Sequence, residues 1–267
     1  MAAYIIRGGR AGKDRLSVIA DALSPTTAAL LERVGSLEGA TAIDAACGGG
    51  DVTLYLAQLV GPEGAVVGLD LDEAKLEIAR EEARTRGLAN ASFIRASVLD
   101  PWPVDNANLV YARFILTHLR EPERLLERAM AAMRRGGRIV VEDIDYGGRF
   151  MDPHCPAIAR ADELYIETSR RNGGDPFIGL RLQRLLEAAG FEAVETDLVQ
   201  PFGRAGSAKQ TVRLTLAAIA DSVVAGGIAG RDEVEATLRE VERFTAAPDT
   251  MLSMPRIFRA VATRPPA

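Results

Sequence analysis

Apolar residues along this chain follow two rhythms. Short runs read as buried strands: TAIDAA at 41–46, AVVGL at 65–69, SFIR at 92–95, LVYA at 109–112 and RIVVE at 138–142. Between them, apolar positions recur at intervals of three and four, the spacing of a helix with one buried face. These helices are expected over 52–60, ended by Gly61 and Pro62, over 72–86, stopped by Gly87, and over 122–134, closed by Gly136 and Gly137. Ser24 and Pro25 read as cap and first position of an earlier helix ending near Val34.

Strands alternating with helices predict an α/β fold, a doubly wound parallel sheet with helices on both faces. Ligands of such sheets bind at the carboxyl ends of the strands. The loops after Ile43, Leu69, Arg95, Ala112 and Val141 are therefore the places to look.

The second half is less regular. Helices are expected at 157–171 and 180–189, then a strand at 194–199, two helices at 208–224 and 232–244, and a last strand at 257–262. The two strands flanking the helical pair should pair with each other, leaving the pair as a cover on the sheet's edge. Val212, Leu216, Ile219 and Val223 share one helical face, a stripe suited first to a core or a homodimer surface and second to a substrate wall. No linker composition interrupts the chain, so 1–267 reads as one domain. Residues 1–35 form a helical cover, 36–145 a ligand-binding core, and 146–267 the rest of the sheet with an insertion near 204–246.

Composition narrows the class. With 37 acidic and 32 basic side chains the net charge is -5, which argues against a nucleic-acid partner. Cys47 and Cys155 are too few for a disulfide framework, and a reducing, cytoplasmic setting is the expectation. The most apolar stretch, 214–230, is interrupted by Asp221 and falls short of a membrane span. His154 and Cys155 are adjacent, but no further cluster supplies the remaining metal ligands, so no metal is expected.

The segment DAACGGG at 44–50 joins a strand to a helix, and Asp70 follows Gly50 by 20 residues at the end of the next strand. Glycines there let a ligand approach the backbone and the free amides of a helix start. A carboxylate at the second strand end can accept both hydroxyls of a ribose. Together they indicate an adenosine-type cofactor. A nicotinamide fingerprint needs a third glycine where Thr53 stands, and Asp44 would repel a pyrophosphate; the same acid suits the cationic S-adenosylmethionine.

The runs AIDAACGGG at 42–50, VVGLD at 66–70, NLVYARFILTHL at 108–119 and MRRGGRIVV at 133–141 together resemble the ordered motifs of class I S-adenosylmethionine-dependent methyltransferases. Their spacing is similar to small-molecule enzymes of bacterial secondary and quinone metabolism. The resemblance implies a Rossmann-like sheet of seven strands whose last strand runs antiparallel. It implies that Asp44, Ala46, Gly48 and Gly50 lie at the cofactor's methionyl and ribose part, and that Asp70 holds the ribose. Leu71 would pack on the adenine, Ser97 and Val98 would lie at its edge, and Arg113 would lie near the amino-acid end. Ala46 departs from the family's first loop glycine, and Ser97 from a frequent aspartate.

Methyl transfer needs the acceptor held in line with the methyl carbon, and some acceptors also need a base. The candidates beyond the fourth and fifth strands are Glu142 and Asp143, of which alternation turns one toward the cleft, together with Tyr146 and His118. Their plain alternatives are solvated acids at a strand end and a histidine that orders the backbone. The turn at 172–177 and the segment RGGR at 7–10 read as loop punctuation or as lids. The expected function is methylation of a small organic acceptor, with a nicotinamide oxidoreductase and a non-catalytic cofactor binder as the alternatives.

Overall fold

The computed structural model describes residues 9–266, with side chains from residue 12 onward. The proposed lid residues Arg7 and Gly8 lie outside the described residues. Five parallel strands, β1 (Thr41–Ala45), β2 (Ala65–Asp70), β3 (Ala91–Arg95), β4 (Ala107–Arg113) and β5 (Met133–Asp145), are the strands the apolar runs predict, with β5 extended at both ends. After them come β6 (Met151–Asp152), β7 (Glu192–Val199), β8 (Phe202–Gly203), β9 (Met251–Ser253) and β10 (Arg256–Thr263). The main sheet has the order β3-β2-β1-β4-β5-β10-β7, and β10 runs antiparallel to both of its neighbours. The expected pairing of the strands flanking the helical pair is thus observed. The order in which strands are added to the sheet reverses between β1 and β4, which run parallel, and this places a crevice at their carboxyl ends.

Helices cover both faces. Val110, Ala112, Ile139 and Val141 pack under α4 (Pro122–Ala132) and α6 (Leu182–Ala188). On the other face, Leu109, Tyr111 and Val140 pack with Leu30 and Leu31 of α1 (Gly9–Glu32) and Leu56 of α2 (Asp51–Val60). The next helix, α3 (Glu73–Thr85), packs Leu76 and Ala79 against Leu54 and Phe93.

The first helix departs from expectation: α1 runs straight through Pro25 instead of starting there. An interior proline removes one backbone hydrogen bond and costs about 3 kcal/mol. Burial outweighs it, because Ile19, Leu23, Thr27 and Leu31 form an unbroken buried stripe at four-residue spacing while Pro25 faces solvent.

The helical pair also lies elsewhere. α7 (Ser207–Ala225) packs against α1, α5 (Pro156–Arg171) and α8 (Arg231–Ala246), so it covers the carboxyl end of the sheet and not its side edge. Val212, Leu216, Ile219 and Val223 are buried there with Ile158 and Leu164 of α5, as core. The small sheet β6-β9-β8, which the pattern did not predict, braces this cover. The turn at 172–177 is docked, with the Asp175 amide donating to the Thr117 carbonyl at 3.0 Å.

Candidate active site

The crevice opens into a cavity of about 490 Å³, within the range of about 300–1,000 Å³ usual for small-molecule sites. At one end lies the glycine loop. Asp70 fixes it: one carboxylate oxygen accepts from the Gly48 amide at 2.8 Å and the other from the Asp72 amide at 2.9 Å. Each oxygen keeps a lone pair for a ribose hydroxyl. The loop is covered by α1, so closely that a side chain at Gly48 would meet Leu16 at 2.7 Å. Leu71, more than half exposed, Ala96 and Val98 form apolar walls beyond Asp70.

Ala46 holds φ at +62°, the left-handed region that the resembled family fills with glycine. The backbone therefore keeps its turn and the alanine carries the strain, of order 1–2 kcal/mol. Gly50, at φ +82°, is not on the cavity wall; a β-carbon there would meet Ala79 at 2.8 Å and Phe93 at 2.9 Å. Its observed task is close packing of α2 on α3 and β3.

Beneath the cavity is a buried polar floor. Register places Asp44 beside Tyr111, and Arg113 beside Glu142, all toward the face covered by α1 and α2. Thr53, where a dinucleotide site would have glycine, donates its hydroxyl to Asp44 at 2.6 Å. Burial raises the Asp44 carboxyl to about 6, against the opposing Thr53 bond and the charge of Arg113. Glu142 accepts from the Tyr111 hydroxyl and, at 3.0 Å, from Thr27; it does not reach the wall.

Asp143 points the other way, as strand alternation predicts, yet it too is off the wall. It accepts from the Thr117 amide at 3.2 Å and from its neighbour Ile144 at 2.8 Å. Burial raises it to about 7, opposed by these amide bonds. Asp143 therefore positions the segment carrying His118. Ser97 is also off the wall, its hydroxyl accepting from the Leu99 amide at 3.2 Å.

The far end of the cavity is apolar and aromatic. Tyr146 stacks on Tyr165 of α5, with ring centroids 4.3 Å apart, and burial pushes its hydroxyl pKa up. Phe114, held at φ +55°, Ile115, Ile144, Met254 and the α7 residues Thr211 and Thr215 complete the wall. A bulky residue at positive φ beside a cavity is strain concentrated at a site. His118 faces the same space, lowered to about 3 by burial and by the charges of Arg15 and Lys75, so it is neutral near pH 7.

Of the expected site residues, the cavity thus gathers Asp44, Ala46, Gly48, Asp70, Leu71, Val98, Arg113, His118 and Tyr146, and leaves Gly50, Ser97, Glu142 and Asp143 behind it. Tyr111 went unnamed, although its two-residue spacing from Arg113 already places both on one strand face. Arg15, Arg149, Tyr165 and Thr211 come from distant helices and loops, and no local pattern marks them.

Residues 36–190 match the family described as "Methyltransferase domain". A demethylmenaquinone methyltransferase of Lactococcus lactis subsp. lactis is 29% identical over 150 residues, 56% of this chain and 55% of its own length. The chain spans about half the length of the curated relatives it matches. Phosphoethanolamine N-methyltransferase 2 of Haemonchus contortus, solved in complex with S-adenosyl-L-methionine, superposes with a TM-score of 0.57 at 15% identity, over 90% of this chain and 52% of that one. The [4+2]-cyclase SpnF superposes with a TM-score of 0.53 at 20% identity, over 86% and 77%. At such identities a shared fold is established, and a cyclase on the same fold shows why the chemistry must be argued from the site.

Proposed function

The chain belongs to the methyltransferase-domain family, and from that premise we propose that it transfers a methyl group from S-adenosylmethionine to a small, ring-containing organic acceptor. One cavity carries the reading: it runs without a break from the glycine loop and Asp70 to the Tyr146–Tyr165 stack. The residues fit an adenosyl cofactor. Asp70 offers two carboxylate oxygens to a ribose, Leu71 and Val98 offer apolar walls to an adenine, and Gly48 and Asp44 border the methionyl end beside Arg113.

S-adenosylmethionine, when bound, supplies a methyl group already activated on a sulfonium. The remaining task of the protein is placement and exclusion of water. Tyr146, Tyr165, Phe114 and Ile144 present flat and apolar surface on which a ring can lie. Among the described residues of the far end no strong base stands near neutral pH, the raised carboxyl of Asp44 lying at the glycine-loop end: His118 is a weak base, Tyr146 stays protonated, and Asp143 is turned into backbone bonds. That supports an acceptor atom that is already nucleophilic, a carbon or nitrogen of an electron-rich ring. The name of the Lactococcus relative, a demethylmenaquinone methyltransferase, supports the same class.

The test is incubation with methyl-labelled S-adenosylmethionine and a panel of quinols, hydroxylated aromatics and ring amines. The expected result is label in an organic product with one S-adenosylhomocysteine released per methyl. Tight cofactor binding with no product across the panel would identify a binding protein instead.

A further inference from the structure

Four carboxylates, Asp44, Asp51, Asp70 and Asp72, share the lining of the cavity with four cations, Arg15, Lys75, Arg113 and Arg149. Three of the cations have answering groups. Arg149 donates to Asp162 at 2.7 Å and to the Ser253 carbonyl, and Lys75 pairs with Asp72 at 3.4 Å. Arg113 reaches Thr27 at 3.4 Å and lies in the field of Glu142 and Asp44. Arg15 differs. It is only 8% exposed, its Nε is buried without a hydrogen-bond partner, and no carboxylate pairs with it among the described residues. A buried guanidinium nitrogen without a partner is unfavourable unless something answers it.

The helix says where Arg15 points. Lys13 and Ser17, four residues apart on one face of α1, both reach Asp51 at the glycine loop, at 2.8 and 3.4 Å. Arg15 is turned about 200° from Lys13 around the helix, onto the face it shares with Ile19. Ile19 packs on Met254, a wall of the far end of the cavity. The charge of Arg15 is also felt at His118 and Tyr146, both on that far side.

We infer that the acceptor carries a carboxylate on its ring, and that Arg15 receives it. The inference deepens the methyltransferase reading and rests on it. Arg15 is then a specificity residue. The guanidinium fork meets two oxygens of a planar anion, while Tyr146 and Tyr165 take the ring. A neutral analogue of the same shape leaves the buried charge unanswered and is rejected.

The test uses matched aromatic probes, 4-hydroxybenzoate, salicylate and 1-hydroxy-2-naphthoate against their carboxamides. Each is titrated calorimetrically into the full chain saturated with S-adenosylhomocysteine. At least one carboxylate is expected to bind about tenfold or more tightly than its amide, the worth of one charge-assisted pair. Arg15→Gln should erase that ratio, and Arg15→Lys, which keeps charge without the fork, should retain part of it. A ratio near one for every pair in the wild type, or a ratio that survives Arg15→Gln, overturns the inference; if the glutamine variant does not fold, the wild-type and lysine ratios still decide.

A second arm asks whether the anion is the cofactor's own carboxylate. Affinities for S-adenosylhomocysteine and for methylthioadenosine, which lacks the amino acid, are compared in wild type and Arg15→Gln. Equal effects on both ligands are expected. A selective loss of about tenfold for S-adenosylhomocysteine would assign Arg15 to the cofactor and overturn the inference. Absence of S-adenosylhomocysteine binding in the wild type would instead remove the methyltransferase reading, and the probe titrations, run without nucleoside, would still report the anion preference.

Discussion

Tyr111 donates its hydroxyl to a carboxylate oxygen of Glu142 on the adjacent strand, directly under the cavity. Tyr111 lines the cavity and Glu142 does not, so the bond transmits the position of a fully buried acid to a wall residue. Thr27 of α1 completes the contact from above and also receives Arg113. Three separate parts of the chain thus meet on one carboxylate, and Glu142 holds the floor together.

Tyr111→Phe should therefore destabilise the fold by about 1.5–3 kcal/mol, the loss of a buried hydrogen bond to a charged acceptor. Urea denaturation checks it: the midpoint should fall with no change in slope. A loss below about 0.5 kcal/mol would mean that water replaces the hydroxyl easily.

His118 should make the stability depend on pH in a definite direction. Its folded pKa, about 3, lies below the ordinary value of 6.5, so between these limits the unfolded chain holds the extra proton. Its contribution is present above pH 6.5 and is lost as the pH falls toward 3, with a slope of at most about 1.4 kcal/mol per pH unit. Asp143 and Asp44, raised to about 7 and about 6, act oppositely, adding stability at low pH that is lost as pH rises through those values. The clean measurement is the difference between wild type and His118→Asn across pH 3–6.5. It should shrink steadily as the pH falls; a flat difference would show that His118 charges freely in the fold.

Two glycine-loop substitutions should move stability in opposite directions. Gly50→Ala strains a left-handed backbone and drives a methyl group into Ala79 and Phe93, and should cost roughly 2–4 kcal/mol. Ala46→Gly relieves the positive φ at 46 and should add up to about 1 kcal/mol after the extra freedom of glycine in the unfolded chain is counted. Thermal and urea unfolding of both variants would settle the signs.

The fold was legible because short apolar runs and helical spacings of three and four are local, and glycines punctuate them. The strands from 41 to 142 and the pairing of the last two needed nothing more. Pro25 misled, since a local start signal was outweighed by the stripe through Ile19, Leu23, Thr27 and Leu31, which carries the helix back to Gly9. At the site, Asp70 and Gly48 were legible from a motif whose spacing is set by one strand and one helix. Glu142 and Asp143 were legible as strand-end acids, but not as buried ones. Their burial depends on Thr27, Tyr111 and Thr117, which the chain brings from 26 to 115 residues away. Arg15 and Tyr165 join the wall only through helix packing, which no local pattern records.

Whether this cleft holds S-adenosylmethionine is decided by isothermal titration. S-adenosylmethionine and NAD are each titrated into wild type and into Asp70→Ala. The expected result is one site per chain for S-adenosylmethionine, no heat from NAD, and at least about a tenfold loss of affinity in the variant, from removal of charged hydrogen bonds. Binding of NAD alone, or S-adenosylmethionine binding untouched by Asp70→Ala in a folded variant, would contradict it.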